Sequence, residues 1–339
     1  MLQIILEKPG AFAATDVPEP RPADGEALVR VHRIGVCGTD LHAFSGRQPF
    51  FSYPRVLGHE LGVEIVDPGT DPHGLKAGDR CSVEPYLNCG RCIACRRGKP
   101  NCCTDLKVLG VHVDGGMRPV FAVPARKLHR SAKLGFDQLA LIETLGIGAH
   151  AVERAEIKPE DHVLVIGAGP IGLSVIQFAL VTGATVAVMD VSAPRLDFCR
   201  DRLGVHHVIM GGPDATAKLK ELGGGDLPTI VIDATGNPKS MAGTFEMAAH
   251  GGRIVFVGLF QGDLTFNDPN FHRRELTVAG SRNALPETFD RIISLVESGR
   301  IDTSPWITHR FALAETPKVF PAQIAGNPAV LKAMIEVDQ

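Results

Sequence analysis

The fold is decided by one stretch of the chain, Val163-Leu-Val-Ile-Gly-Ala-Gly-Pro-Ile-Gly172. Four consecutive apolar residues predict a short buried strand, and the Gly-x-Gly-x-x-Gly that follows predicts a tight turn into a helix. Gly167 permits the turn, Gly169 lets the backbone approach a diphosphate, and Gly172 lets the helix pack closely on the strand. This stretch therefore indicates a dinucleotide-binding unit, with a ligand-free glycine turn as the alternative.

The residues around this motif indicate which dinucleotide it binds. A helix is predicted to begin near Pro170 and Ile171, where free N–H groups and the helix dipole favour an anion. A second strand ends at Asp190, 18 positions after Gly172. A carboxylate there accepts hydrogen bonds from the adenosine ribose and repels a 2′-phosphate, so the sequence favours NAD over NADP. Arg195 is close enough in sequence to keep NADP open as an alternative.

Short β-rich runs alternate with helical segments around the motif. The predicted strands are 162–166, 185–190, 229–233 and 253–257, and this alternation is typical of a parallel sheet. From Met1 to about Leu128 the pattern is instead short strands broken by Gly and Pro, as in Ala27–Val31. After Gly280 the parallel pattern ends, and a helix is predicted at 286–298. The sequence thus predicts an α/β protein in which both ends of the chain belong to one β-rich domain.

Bulk composition excludes several classes of protein. The chain has 339 residues, 44% hydrophobic and 22% charged, with a net charge of −3 and no basic run, so no nucleic-acid partner is expected. Residues 163–189 carry no charge, but their glycines interrupt any span, and a buried βαβ unit accounts for the apolarity. The first ten residues lack a signal-peptide core. We expect no membrane association and a cytoplasmic location.

Five of the eight cysteines lie within 15 positions. Four of them have the spacing of a closed tetrahedral structural zinc site, namely Cys89, Cys92, Cys95 and Cys103. Cys102 is interpreted as a spare thiol, although an exchange of ligand with Cys103 stays open. Unligated reduced cysteines are the alternative, and such dense clustering makes metal ligation the stronger hypothesis.

A second set of candidate ligands is dispersed along the chain. Cys37 follows a strand and a glycine, and His59 and Glu60 are adjacent. A catalytic zinc needs a mixed ligand set and an open position. Glu143 is an acidic residue inside an apolar run, which is unusual unless it is paired or coordinates a metal. Each of these residues alone also has an ordinary structural explanation.

These motifs together resemble the zinc-containing medium-chain alcohol dehydrogenases over nearly the full chain. The likeness rests on Cys37-Gly-Thr-Asp-Leu-His42, Gly58-His-Glu60, the four-cysteine lobe and the glycine motif, in the family's order and spacing. It implies an α/β fold with a GroES-like zinc-binding catalytic domain, residues 1–148 and 284–339, around a Rossmann NAD-binding domain, residues 149–283. It also implies a homotetramer or homodimer, by analogy alone.

The resemblance assigns roles to particular residues. It implies catalytic zinc on Cys37, His59 and Glu143, with Glu60 beside the metal as a direct or exchangeable ligand. Thr39 would hydrogen-bond the alcohol and begin a proton relay that ends at His42. The cofactor site implied by the same likeness comprises Gly167, Gly169, Pro170, Ile171, Gly172, Asp190, Arg195, Val257, Leu259 and Arg282.

The substrate is predicted to be a polyol or a sugar acid. A glutamate at position 143, instead of a cysteine, is similar to the polyol and sorbitol branch, and segments such as 48–55 and 280–284 resemble bacterial dehydrogenases of sugar acids. Arg282 is also a candidate for a substrate carboxylate, and Phe50, Phe51 and His112 are candidates for lining the cleft. The alternatives are a threonine-type or simple secondary-alcohol dehydrogenase and, from another class, a zinc-free quinone reductase or sensor.

Overall fold

The computed structural model describes residues 1–49, 51–70 and 73–337. The chain forms two compact units, Met1–Glu143 with Leu285–Gln339, and Thr144–Ala284. We call them the terminal unit and the central unit. In the described residues the strands are β1 Leu2–Lys8, β2 Ala11–Asp16, β3 Glu26–Gly35, β4 Glu60–Asp67, β5 Arg80–Val83, β6 Tyr86–Leu87, β7 Lys107–Val108, β8 Val120–Pro124, β9 Leu128–Arg130, β10 His162–Ile166, β11 Thr185–Asp190, β12 His207–Met210, β13 Ile230–Asp233, β14 Arg253–Phe256, β15 Thr277–Gly280, β16 Ile307–Ala312 and β17 Lys332–Glu336.

Apart from one helix of 20 residues, the described α-helices have 4 to 12 residues. In chain order they are α1 Gly38–Phe44, α2 Ile93–Arg96, α3 Phe136–Ala155, α4 Pro170–Val181, α5 Ala193–Leu203, α6 Ala215–Leu222, α7 Pro238–Met247, α8 Asp268–Arg273, α9 Pro286–Glu297 and α10 Thr316–Val319. No described helix has the length and apolarity to cross a membrane. The uncharged stretch 163–189 is instead β10, α4 and the first part of β11.

The central unit contains a parallel sheet of six described strands in the order β12-β11-β10-β13-β14-β15. The predictions at 162–166 and 185–190 are confirmed at both ends, and those at 229–233 and 253–257 are each one residue too long. β13 is buried throughout and β10 after its first residue. Continuous burial is expected of parallel strands covered on both faces, which is why these strands are runs of Val, Ile and Leu.

The terminal unit contains a mixed sheet from both ends of the chain. Its strand order is β16-β17-β3-β4-β5-β9, and β8 also pairs with β3. β3 is long and alternates between buried and partly exposed residues over its first half, as the sequence predicted for 27–31. β17 pairs antiparallel with β3 and parallel with β16, so the C-terminal segment adds its strands directly to the N-terminal ones. The helix predicted at 286–298 is confirmed as α9.

A polar network that is buried except at Asp290 joins this sheet to α9. Lys127 and Glu84 form a buried ion pair, and Glu84 also lies 3.5 Å from Nε2 of His129. Nδ1 of His129 lies 2.8 Å from Oδ1 of Asp290, and its ring stacks on Phe289. Burial opposes protonation of His129, but the hydrogen bonds with Asp290 and Glu84 outweigh it and raise its pKa. His129 is therefore protonated more readily in the folded protein than in the unfolded chain.

This network predicts a fall in stability as the pH rises through the folded-state pKa of His129. Because that pKa is raised above the ordinary value of 6.5, the stabilising contribution is complete below 6.5 and is lost as the pH rises through the folded-state pKa. Asp290→Asn should flatten this part of the profile of unfolding free energy against pH, measured by urea denaturation. Glu287→Gln, exposed on the same helix, is the control. An unchanged slope in Asp290→Asn would contradict the assignment.

Candidate functional site

Four cysteine sulfurs converge in the loop after β6. The sulfurs of Cys89, Cys92, Cys95 and Cys103 all lie within 4.8 Å of one another. Local structure brings them together: Cys92 caps the short helix α2, and a 3-10 turn, Pro100–Cys102, leads into Cys103. This donor set is the one that structural zinc prefers, and it suits a closed tetrahedral site.

Backbone N–H groups point at these sulfurs. The amides of Cys92 and Cys89 lie 3.4 and 3.3 Å from the sulfurs of Cys89 and Cys103, respectively, and the amide of Asp105 lies 3.4 Å from the latter. Hydrogen bonds from the backbone N–H groups of Cys95 and Thr104 lower the pKa of Cys92 to about 5. Such donors favour thiolate, which is the form that binds metal. The loop therefore fits a metal ion on an observation independent of its spacing.

Cys102 is exposed and stands outside the four-sulfur group, although it is adjacent to Cys103 in sequence. Cys103 itself is buried, and burial raises the pKa of its thiol to about 11. The geometry favours Cys103 over Cys102 as the fourth member of the group. This agrees with the interpretation of Cys102 as a spare thiol.

A second group of possible metal ligands lies elsewhere in the terminal unit. One ligand atom each from Cys37, His59 and Glu60 lies within 4.8 Å of the others. Cys37 immediately precedes α1, while Glu60 begins β4, which pairs with β3. His59 is 4% exposed and Glu60 is fully buried, whereas Cys37 is partly exposed. One accessible thiol with two buried partners is the kind of mixed ligand set that a catalytic metal uses.

Acidic side chains surround His59. Its Nδ1 lies 3.8 Å from Oδ1 of the buried Asp40, and each of these atoms lacks a hydrogen-bond partner in the described structure. Burial opposes protonation of His59, but Cys37, Asp40 and Glu143 outweigh it and raise its pKa well above the usual value. Positive charge is thus stabilised here, and a divalent cation fits the same place as a proton. A carboxylate behind a ligating histidine is also a common feature of metal sites.

Glu60 is held by a lysine from the opposite end of the chain. Nζ of Lys332 lies 2.7 Å from both carboxylate oxygens of Glu60 and 3.2 Å from the carbonyl oxygen of Val36. A Cβ on Gly35 would stand 2.0 Å from Oε2 of Glu60, so a side chain there would displace the carboxylate. The position of Glu60 therefore depends on Gly35 as well as on Lys332.

Glu143, the predicted third zinc ligand, lies outside the group formed by Cys37, His59 and Glu60. It is 4% exposed on α3, and its Oε1 accepts a hydrogen bond from the hydroxyl of Tyr86. It still lies near enough to His59 to influence its pKa, and burial raises the pKa of Glu143 itself. The structure thus places Glu60 with the other ligands and Glu143 on Tyr86, and ligation by Glu143 stays a prediction.

Sequence reasoning missed Lys332 and Tyr86. Lys332 stands in the apolar run 329–337, which is the same kind of signal that identified Glu143: a charge inside a buried stretch. Tyr86 gave no comparable signal, because a single aromatic residue in a strand is ordinary. Both contacts span long separations, 272 residues for Lys332 with Glu60 and 57 for Tyr86 with Glu143.

The two predicted relay residues lie on α1. Thr39 is partly exposed and His42 is exposed, and residues three apart on a helix share a face. Partial burial and the nearby Arg47 lower the pKa of His42, so the neutral ring is favoured near neutral pH. Of the residues predicted to line the cleft, Phe51 packs on Tyr53 and Nδ1 of His112 accepts a hydrogen bond from the Val108 amide. Phe50 lies outside the described residues.

In the central unit, the glycine motif has the geometry that its sequence predicts. Gly167 has φ +97°, which favours glycine, and follows β10 directly. A Cβ on Gly172 would stand 1.7 Å from the carbonyl oxygen of Gly167, so no side chain fits there. Pro170 and Ile171 begin α4, with Gly169 as its N-cap. Free N–H groups of this first turn suit a diphosphate.

Asp190 ends β11 and holds the glycine loop. Its Oδ2 accepts a hydrogen bond from the amide of Ala168 at 2.6 Å, and its Oδ1 one from the amide of Ser192 at 2.8 Å. Arg195 approaches the same loop, with Nη1 3.6 Å from where a Cβ on Gly169 would stand. Asp190, which is predicted to select the ribose, therefore lies beside the glycine motif. Arg195, which kept NADP open as an alternative, lies beside it as well.

The remaining predicted cofactor residues follow the carboxyl ends of neighbouring strands. Val257 comes directly after β14, with its amide on the carbonyl oxygen of Asp233, and Leu259 is 68% exposed two residues later. Arg282 is exposed just after β15. Ligands of open parallel sheets bind outside these carboxyl ends, so the positions suit a cofactor site.

Comparison with known proteins places this arrangement in a family. The model "Zinc-binding dehydrogenase" matches residues 170–298, and the model "Alcohol dehydrogenase GroES-like domain" matches residues 23–133. The α/β class with a GroES-like domain and a Rossmann domain is thereby confirmed. The match to a zinc-binding model also argues against the alternative of a zinc-free quinone reductase or sensor.

Relatives match the whole length of the chain. L-galactonate-5-dehydrogenase of Escherichia coli K12 is 42% identical over 98% of both chains. L-threonine 3-dehydrogenase of Pyrococcus horikoshii is 32% identical and covers 92% of this chain and 91% of its own.

A solved structure shows the same fold. The crystal structure described as a short chain alcohol dehydrogenase (rspB) of E. coli CFT073, complexed with NADH, superposes with a TM-score of 0.89 at 30% identity and covers 99% of both chains. With both family domains matched and 42% identity to a relative over nearly its full length, the chain belongs to the zinc-binding alcohol dehydrogenases, which are NAD(P)-dependent oxidoreductases.

Proposed function

We propose that this protein uses NAD and a catalytic zinc to oxidise a secondary hydroxyl of a sugar acid. L-galactonate, the compound in the name of the relative that is 42% identical, is such an acid. The observation that carries the proposal is the group of Cys37, His59 and Glu60, in which His59 and Glu60 are buried and acidic neighbours raise the pKa of His59. Zinc held there supplies a Lewis acid that favours ionisation of the hydroxyl, and NAD supplies the hydride acceptor. Either Glu60 or Glu143 completes the ligand set.

The chain's own residues account for the movement of the proton. Thr39 and His42 share one face of α1, and the relay implied by the family resemblance begins at Thr39 and ends at His42. His42 is exposed, and its lowered pKa means that it gives up a proton readily to solvent. Asp40 fixes the start of the helix, since its Oδ2 accepts a hydrogen bond from the Cys37 amide at 2.9 Å.

The substrate class rests on likeness. The relative with 42% identity is named for L-galactonate, whereas the relative named for L-threonine is 32% identical. A glutamate at position 143 also supports a polyhydroxylated substrate over a simple alcohol. L-threonine is the second candidate because that relative matches over 92% of this chain, and polyols are the third.

A panel of NAD-reduction assays tests the substrate class. Hexonates should give kcat/KM values at least about 100-fold above those for L-threonine, since a site built for polar partners rejects analogues that leave them unpaired. Pentonates and hexitols should fall between. Higher activity on L-threonine would reassign the substrate. Metal analysis of the same preparation should find two zinc ions per chain.

Cys37→Ser should lower turnover by about 1,000-fold or more, because loss of a ligand removes the Lewis acid. NAD affinity, measured by fluorescence titration, should stay within about twofold because the glycine motif lies in the other unit. Zinc content should fall from two to one. Loss of NAD binding in this variant would contradict separate metal and nucleotide sites.

Asp190→Ala should narrow the preference for NAD over NADP by about 10- to 100-fold in kcat/KM, because it removes the carboxylate that repels a 2′-phosphate. The matched control is Asp197→Ala, whose carboxylate is exposed on α5 and bound to Arg200. An unchanged preference would place ribose recognition elsewhere.

Cys92→Ser should lower the melting temperature by several degrees, because a structural zinc contributes folding free energy. Differential scanning calorimetry and zinc content provide the measurement, and Cys102→Ser, outside the four-sulfur group, is the control. A Cys92→Ser protein with both metals and an unchanged melting temperature would rule out structural zinc in this loop. Assembly into a homodimer or homotetramer, our proposal by analogy, is measured on the same samples by sedimentation.

A further inference from the structure

We infer that Lys332 is a positioning residue that restrains Glu60 and so keeps one position of the metal open to substrate; this rests on the proposed zinc site. The ammonium group bonds both Glu60 oxygens at 2.7 Å and the Val36 carbonyl oxygen at 3.2 Å. Lys332 is 2% exposed and Glu60 is fully buried. The pair is thus a desolvated, bidentate contact at the candidate metal site.

The backbone fixes this contact from three strands. β17 carries Lys332 alongside β3, with Met334 opposite Gly35, and β3 in turn pairs Gly35 with Glu60 at the start of β4. The missing side chain at Gly35 leaves the space that the carboxylate fills. Glu60 therefore contacts Lys332 and also has a carboxylate oxygen within 4.8 Å of ligand atoms of Cys37 and His59.

The geometry of the contact is that of an ion pair. Both Glu60 oxygens lie 2.7 Å from the ammonium group, and both side chains are buried, so each is the other's immediate counter-charge. A metal ion and the ammonium therefore compete for the same carboxylate. With Lys332 present, Glu60 is shared between the two; without it, the buried carboxylate has the metal as its nearest counter-charge, because an unpaired buried charge is costly.

This role predicts a change in metal affinity opposite to that caused by loss of a merely structural residue. Replacing a structural residue should weaken metal binding. Replacing Lys332 should instead strengthen metal binding, since Glu60 becomes a full ligand and a nearby positive charge is removed. Substrate should bind less well, because Glu60 then competes with it.

The experiment measures metal affinity in the full-length protein. Lys332→Met is loaded with Co²⁺, and the Cys37-dependent site, identified as the one lost in Cys37→Ser, is titrated with a chelator. We expect metal affinity to increase at least about tenfold, which is the size of effect that partners of metal ligands have. KM for the substrate should rise about tenfold, with a smaller change in kcat. Unchanged or weaker metal binding would overturn the inference.

Lys127 offers a matched control. It is a buried lysine of the same unit, paired with the buried Glu84, and it lies outside the Cys37, His59 and Glu60 group. Lys127→Met should lose stability to a similar extent but leave metal affinity at the Cys37 site within about twofold. An equal increase in metal affinity in Lys127→Met would show that loss of any buried positive charge in this unit has the same effect. That result would overturn the specific role of Lys332.

A double-mutant cycle tests whether Lys332 acts through Glu60. In a Glu60→Gln background, Lys332 has no carboxylate to hold away from the metal, so Lys332→Met should change metal affinity by less than about twofold. An equal effect in both backgrounds would contradict action through Glu60. Lys332→Arg, which keeps the charge, should restore the wild-type affinity, and failure to restore it would also count against the role.

Three further outcomes distinguish failure of the inference from failure of the proposed function. If Lys332→Met does not fold, Lys332→Gln takes its place, and tighter metal is again expected, with weaker binding contradicting the inference. If the wild-type chain takes up no metal that depends on Cys37, the proposed function itself fails, and with it the inference. If wild-type metal is normal and the lysine variants leave it unchanged, the role of Lys332 alone is wrong.

Discussion

Buried negative charge is the constraint on which the terminal unit depends. Cys37, Asp40, Glu60 and Glu143 all act on the pKa of one buried histidine or on one another. Like charges in a low-dielectric interior repel strongly unless positive charge lies among them. A protonated histidine and a buried lysine supply part of that charge, and a divalent cation supplies it more completely. The candidate metal site of Cys37, His59 and Glu60 thus lies where the fold gathers buried acidic groups.

The two buried glutamates at the candidate metal site are restrained in chemically different ways. Glu60 contacts a cationic partner, Lys332, whereas Glu143 accepts a hydrogen bond from the neutral Tyr86. A cation competes with a metal for its carboxylate by charge, while a hydroxyl orients the carboxylate and leaves its charge free. The proposed zinc would therefore meet two glutamates that differ in how freely each can ligate it.

In the central unit, the glycine loop after β10 and the first turn of α4 lie so close together that only glycine fits between them. No side chain fits at Gly172 against Gly167, and Asp190 bonds the loop that Gly167 begins. The same carboxylate therefore shapes the glycine loop and stands where the ribose is expected. Replacing it alters both loop geometry and nucleotide preference, so kinetic effects at this position combine two physical causes.

The sequence by itself determined the features that depend on short-range structure. The ends of β10 and β11, the turn at Gly167 and the grouping of Cys89 with Cys92, Cys95 and Cys103 were all predictable, because neighbouring residues and local hydrogen bonds specify them. The family resemblance added the pairing of Cys37 with His59, which spacing alone left open.

Only the tertiary structure decided which glutamate lies with the ligands and what restrains it. Glu60 meets Lys332 across 272 residues of chain, and Glu143 meets Tyr86 across 57. Contacts of this kind arise from the pairing of β3 with β4 and β17, and from the placing of α3. No local periodicity encodes them, because a charged residue in an apolar run shows that a partner is needed but not which residue supplies it.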